Sequence, residues 1–158
     1  MPIYHTQIEG EGKTANGKTV KAPPHVGLHL QGPVLQVSVT IEENFGKALL
    51  AQGNALPTPK TGFALIDTGA TNTCIDEKAA QELGLPVIDV GVMRSANEEK
   101  PCNIYPVQFS LPRLVLNSPR TMGADLAPMG LLILIGRDML RFCTLFYNGP
   151  AGQFTLSM

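Results

Sequence analysis

Neither sign of charge is in excess in this sequence. Twelve Lys and Arg stand against 13 Asp and Glu, for a formal net charge of -1, and no run of basic residues occurs. Nucleic acid and anionic membrane surfaces are therefore excluded as expected partners. Cysteine is scarce and odd in number. Cys74, Cys102 and Cys143 form no CxxC spacing, so a disulfide framework is not expected, and the three read as reduced, mostly buried thiols. No long apolar run exists: 129–135, interrupted by Gly130, is far too short to span a bilayer. The N-terminus lacks a basic stretch followed by an apolar one, so no signal peptide is read there. The expectation is a cytoplasmic protein. No segment repeats internally.

The chain is instead rich in turn formers, with 16 Gly and 13 Pro in 158 residues, while 44% of residues are hydrophobic and 16% charged. That composition argues for one compact, strand-rich domain with few long helices. Residues 1–32 are polar and turn-rich and read either as an N-terminal arm or as edge strands at 3–8 and 19–21. From Val34 to Ile41 apolar and polar residues alternate at period two, the pattern of a half-buried strand. Residues 42–60 read as a long connection, and 62–66 as a strand. An acid, good helix formers and a Gly stop predict a short helix over 76–83. Two strands, 87–94 and 104–111, flank the polar segment 95–101 and predict a hairpin. A short strand at 114–116, a loop at 118–128, a buried strand at 129–135 and a helical turn at 137–142 follow. The terminal segments 143–147 and 153–156 flank Asn148-Gly-Pro-Ala-Gly152 as a second hairpin.

The most informative stretch is Phe63-Ala-Leu-Ile-Asp-Thr-Gly-Ala-Thr71. An apolar run delivers one carboxylate, Asp67, to the end of a buried strand, and Gly69 allows a sharp turn there. An acid at such a position is costly unless it is hydrogen-bonded or used. Alone, it also reads as an aspartate that merely caps a turn. About seventy residues later comes Leu131-Leu-Ile-Leu-Ile-Gly-Arg-Asp-Met-Leu140, with the predicted hairpin between. This ordered pair of motifs resembles the retropepsin-like aspartic proteases over residues 33–158. The longer tail and the unlike hairpin tip suggest a cellular or bacterial member rather than a viral one.

The resemblance implies an all-β fold: a retropepsin-like closed barrel or sandwich with one or two short helices, active as a homodimer. By it, Asp67 is the catalytic residue, and two copies share one proton across a two-fold axis because adjacent like charges resist joint ionisation. No other Asp-Thr-Gly or Asp-Ser-Gly occurs, so the second acid must come from a second copy of the chain. Thr68, Gly69 and Ala70 would complete the active-site loop, and Arg137 would brace it. Viral members have an acid just after their Asp-Thr-Gly-Ala; Thr71 and Asn72 stand there instead, so Arg137 is expected on backbone carbonyls or an acid of the other subunit. Asp138 reads as a helix-start acid. Substrate is expected against Thr71, Asn72, Cys74 and Ile135 and under a flap carrying Arg94, Ser95, Ala96 and Asn97. The flap residues also suit an ordinary exposed hairpin, and Cys74 also suits a structural thiol.

Neither metal nor cofactor is called for. His25 and His29 have a metal-like spacing only on a helix, which Pro23, Pro24 and Gly27 speak against. The organisation expected is an N-terminal segment, 1–32, followed by a protease domain, 33–158, with its terminal hairpin at 143–158. That hairpin either builds the dimer interface or is an edge hairpin of one subunit. The expected function is hydrolysis of peptide bonds in a peptide or protein substrate, by water activated between two Asp67 carboxylates. The alternatives are a non-catalytic dimeric protein-binding module and a protease that trims its own N-terminal segment.

Overall fold

The computed structural model describes residues 3–13, 19–94 and 98–158. Six strands close into a barrel: β4 (Val34–Ile41), β5 (Lys60–Ile66), β10 (Ile133–Ile135), β6 (Cys74–Asp76), β9 (Leu114–Ala124) and β8 (Glu99–Leu111), with β8 returning to β4. The alternation expected of β4 is present, with Leu35, Val37, Val39 and Ile41 turned inward and all buried. These residues meet Ala64, Ile66, Ile75, Val107, Phe109 and Ile133 in a single core. The apolar stripes of both walls are thereby removed from water, the main driving force for closure.

β7 (Asp89–Arg94) pairs with the first half of β8, from Asp89 opposite Ile104 to Arg94 opposite Glu99, and forms the flap-like hairpin. The second half of β8 closes the barrel on β4. At the junction the β8–β9 register shifts, Tyr105 facing Thr121 and Val107 facing Ser118. Pro119 and Arg120 fall in this bulge, where a residue without an N–H can be tolerated. The loop expected over 118–128 is therefore strand in its first half, β9 running on to Ala124. The expected strand at 129–135 is likewise shortened to Ile133–Ile135, because Gly130 turns the chain at φ 67° after a 3-10 turn at Ala127–Met129.

Helix content exceeds the one or two short helices expected. Among the described residues there are α1 (Pro24–Gln31), α2 (Glu43–Ala51), α3 (Glu77–Glu82) and α4 (Arg137–Leu140). The α1 segment is helical although Pro23, Pro24 and Gly27 speak against a helix there. Its prolines open it instead, Pro24 sitting in the first turn where a missing N–H costs nothing. Gly27 lies against Gly10 because their backbones cross closely; a Cβ on Gly27 would stand 3.0 Å from the Gly10 nitrogen. His25 and His29 thus do share a helix, but no cluster of three metal-ligating side chains occurs among the described residues.

The α2 helix lies within the expected connection 42–60. Buried Glu42 caps it, accepting from the backbone N–H groups of Asn44 (2.9 Å) and Phe45 (3.2 Å). Gly46 sits mid-helix with no steric need for glycine, since an added Cβ would make ordinary contacts of 3.4 Å with Leu56 and 3.5 Å with Ile41. Gly46→Ala is therefore expected to raise stability by about 0.5–1 kcal/mol, read as a higher urea midpoint at constant slope.

The N-terminal segment is joined to the rest of the chain. β1 (Ile3–Gln7) pairs antiparallel with β12 (Gln153–Ser157), whose other edge pairs with β11 (Thr144–Asn148). β12 is thus the central strand of a three-stranded sheet, and β2 (Gly10–Lys13) pairs with β3 (Thr19–Ala22) beside it in sequence. Ile8 and Leu28 join the core cluster. Among the described residues no helix is long and apolar enough to cross a membrane.

Candidate active site

The parallel pairing of β5 with β10 brings the two motifs together, Leu65 opposite Leu134 and Ile66 opposite Ile135. The ladder continues one step further, the Asp67 N–H donating to the Ile135 carbonyl at 3.0 Å. Beyond it the chain turns. Asp67 Oδ1 accepts from the Gly69 N–H (2.8 Å) and the Ala70 N–H (3.2 Å), fixing the carboxylate against its own loop. Among the described residues Oδ2 has no partner. Thr68 and Gly69 are exposed at the loop tip.

Arg137 reaches back across this loop. Its Nη1 donates to the carbonyls of Thr68 (2.9 Å) and Gly69 (2.8 Å), and its Nη2 donates to the Thr71 hydroxyl (2.9 Å). The guanidinium thus meets two backbone carbonyls and a hydroxyl. Its planar fork suits this multiple contact in a way a lysine could not.

A second clasp lies beside the first. Thr73, fully buried, donates its backbone N–H to Asp138 Oδ2 (3.0 Å) and its hydroxyl to Asp138 Oδ1 (2.7 Å). The same hydroxyl accepts from the Gly136 N–H (3.1 Å). Asp138 also accepts from the Met139 N–H, so beyond starting a helix it ties the two motifs together. Gly136 is required at their contact, because a Cβ there would lie 2.5 Å from the carbonyl carbon and oxygen of Asn72. Nothing local in the sequence marks Thr73; only the repeated proximity of the two motifs could have pointed to it.

A cleft of about 610 Å³ opens between the Asp67 loop and the hairpin. Thr71, Asn72, Cys74 and Arg94 line it, as do Val92, Lys100, Met122, Leu126 and Leu134, which the sequence reading did not single out. Ile135 is a correction: it is wholly buried in the core, and its neighbour Leu134 faces the cleft because strand residues alternate. Arg94 pairs with Glu99 across the hairpin at 2.7 Å. Ser95, Ala96 and Asn97, the expected flap tip, lie outside the described residues.

Two acids, buried Asp76 and half-buried Glu77, hold the walls. Asp76 Oδ1 accepts from the N–H groups of Leu126 (3.1 Å) and Ala127 (3.0 Å), while Oδ2 caps α3 through Ala79 (3.0 Å). Glu77 Oε1 accepts from the Tyr105 hydroxyl (2.7 Å) and Asn103 Nδ2 (2.8 Å) at the base of the hairpin. Burial, reinforced by that bond to Glu77, pushes the Tyr105 phenol up to about 12. Burial also pushes the Cys74 thiol up to about 11, with Cys102, Asp138 and Asp67 adding to the shift. Cys74 is therefore neutral in the cleft. Iodoacetamide at pH 8 is expected to alkylate it about a hundredfold more slowly than an ordinary thiol, checked by peptide mapping over time.

A barrel that presents one aspartate on a Thr-Gly-Ala turn, buttressed by a Gly-Arg-Asp helix start, defines the aspartic protease class. The aspartyl protease family profile matches residues 59–139, just over half of the chain, and the chain belongs to that family. Solved structures similar to it include the retropepsin-like aspartic protease of Rickettsia conorii, 11% identical, covering 98% of this chain and 90% of that one with a TM-score of 0.46. The simian foamy virus protease is 18% identical, with 69% and 92% covered and a TM-score of 0.42. The retroviral protease-like domain of Ddi1 from Leishmania major is 17% identical, with 73% and 81% covered and a TM-score of 0.40. No curated protein sequence matches the chain.

Proposed function

We propose that the protein is a homodimeric aspartic endopeptidase of the reducing cytoplasm. The observation that carries this reading is the Asp67 loop: one half-buried carboxylate, held through Oδ1 by two backbone amides, has no partner on Oδ2 among the described residues, beside the exposed tip of Thr68 and Gly69. One such acid cannot both accept a proton from water and donate one to a carbonyl. Two of them, brought together by a two-fold axis, can.

In the dimer one Asp67 is ionised and takes a proton from a water held between the pair. The other is protonated and donates to the oxygen of the scissile carbonyl as the water oxygen attacks the carbon. The tetrahedral intermediate collapses as the first Asp67 gives the proton it took from water to the leaving nitrogen and the second recovers one from a hydroxyl of the intermediate, so that the amine and carboxylic acid separate. Thr68 at the tip would face its symmetry mate and hold the two loops in register. The hairpin β7–β8 would cover the substrate and exclude water.

The exposed edge of β11 supports a second copy. Phe146 and Tyr147 are 61% and 48% exposed there, and an apolar strand edge left open invites pairing. The three unpaired thiols, Cys102 buried among them, support the reducing compartment. The deciding experiment is Asp67→Asn in a peptide-cleavage assay, with loss of cleavage expected and cleavage at the wild-type rate fatal to the reading.

A further inference from the structure

Sulfur is concentrated on one wall of the cleft under the hairpin. Cys74 stands opposite Met122 where β6 and β9 run parallel, and Met122 stands opposite Ile104 on β8. Residues paired across a sheet share a face, so Cys74 and Met122 point the same way. Two residues before Ile104 on β8 is Cys102, and two before that is Lys100, which pairs with Met93 of β7. Two of the three cysteines and two of the six methionines therefore lie on a single face. Cys74, Met93 and Met122 are each half-buried and line the cleft, as do residues 69–72 of the Asp67 loop.

A methionine in a core fills space, but these sulfurs border an open cleft. Cys74 and Met122 make the tightest pair, because neighbouring strands run about 5 Å apart. The Met122 N–H donates to the Thr73 carbonyl at 3.1 Å, which fixes the two strands side by side. The unbranched methionine chain adapts easily enough to meet a thiol one strand away. Hard and borderline ions find little here, since no group of three His, Cys, Asp or Glu side chains among the described residues could hold one. Thiolate and thioether together suit a soft ion, Cu(I) above all. Asp67 and Asp138 act electrostatically on the Cys74 sulfur, so a cation there stands in a negative field.

We propose that Cys74 and Met122 form a binding site for a soft monovalent metal ion, Cu(I), in the wall of this cleft. The incoming ion displaces the Cys74 proton to solvent, and the thiolate and the Met122 thioether hold it with no change of oxidation state. The ion then fills space beside residues 69–72. Resting on the peptidase reading, Cu(I) is therefore an inhibitor that competes with the peptide for the cleft.

The test titrates Cu(I), kept reduced by ascorbate without oxygen, against bathocuproine disulfonate as the competing chelator. Wild-type protein is compared with Cys74→Ser, Met122→Leu and Met129→Leu. One Cu(I) per wild-type chain is expected. Loss of an outer-shell partner alone costs metal sites about ten- to a hundredfold, so Cys74→Ser is expected to weaken binding at least about a hundredfold and Met122→Leu about tenfold. Met129, exposed and outside this cleft, is the control and is expected to keep wild-type affinity in Met129→Leu. Undiminished affinity in either Cys74→Ser or Met122→Leu overturns the site, and so does equally tight binding of Zn(II). Peptide cleavage is followed alongside, each variant against its own metal-free rate. Inhibition of the wild type that is relieved in Cys74→Ser and Met122→Leu supports the site. Cleavage undisturbed at full Cu(I) loading overturns the placing of the ion in the path of the peptide. Uptake that depends on Cys74 and Met122, in a protein that cuts no peptide, keeps the site and ends the peptidase reading.

Discussion

Asp67→Asn is expected to lower kcat/KM for peptide cleavage by at least about a thousandfold while leaving the fold and the dimer intact. The substitution is nearly isosteric, and the amide oxygen still accepts from the Gly69 and Ala70 N–H groups, so the loop keeps its shape. What disappears is the carboxylate that takes the proton from water. A mixing experiment makes the same prediction about assembly. If subunits exchange, equal amounts of wild-type and Asp67→Asn protein place about half of the wild-type chains in mixed dimers, and activity falls to about half that of the wild type alone. A chain active by itself would show no such loss. The two readouts separate the failures: cleavage that persists in the variant sinks the aspartate, whereas full activity in the exchanged mixture sinks the shared site. A binding module would show no cleavage in either experiment.

How far the sequence discloses this arrangement depends on the distance over which each feature is encoded. The β4 strand was legible because burial on one face imposes a period of two within eight residues, from Val34 to Ile41. Asp67 was legible because strand, acid and turn are contiguous, and Arg137 because the same holds for the second motif. The hairpin over β7 and β8 was legible from its polar tip. The features that failed are those in which a residue is chosen for a partner elsewhere. Gly10 and Gly27 looked like turn signals but are packing residues at a backbone crossing. Pro119 looked like a loop signal but occupies a bulge whose existence depends on β8 opposite. Gly46, together with Gly53, Asn54, Pro57 and Pro59 further on, obscured a helix that Glu42 caps from a buried position. Thr73 and Asp138 are 65 positions apart, and each alone is an ordinary polar residue. Ile135 was misplaced by one position, which on a strand is a change of face.

Gly136→Ala is expected to cost about 1–3 kcal/mol of stability and, at the same time, about a hundredfold in kcat/KM. The cause is not backbone strain, because Gly136 has φ -90° and ψ 179°, a conformation open to every residue. It is contact: the methyl group would stand 2.5 Å from the Asn72 carbonyl carbon and oxygen and 2.9 Å from the Thr73 nitrogen. Backbone atoms cannot turn aside as a side-chain tip can, so one motif must move from the other. The hydrogen bonds from Gly136 and Thr73 through Asp138 lengthen with that movement, and Arg137 is drawn off the carbonyls of Thr68 and Gly69. Asp67 then loses its placement relative to a partner carboxylate, so activity suffers beyond what unfolding explains. Gly46→Ala is the control, the same chemical change at a glycine whose neighbours stand at ordinary contact distance. Opposite shifts in urea midpoint for the two variants, with activity lost only in Gly136→Ala, are the expected result. A wild-type midpoint in Gly136→Ala would mean that the two motifs are not held by this contact, and the account of the clasp would fail with it.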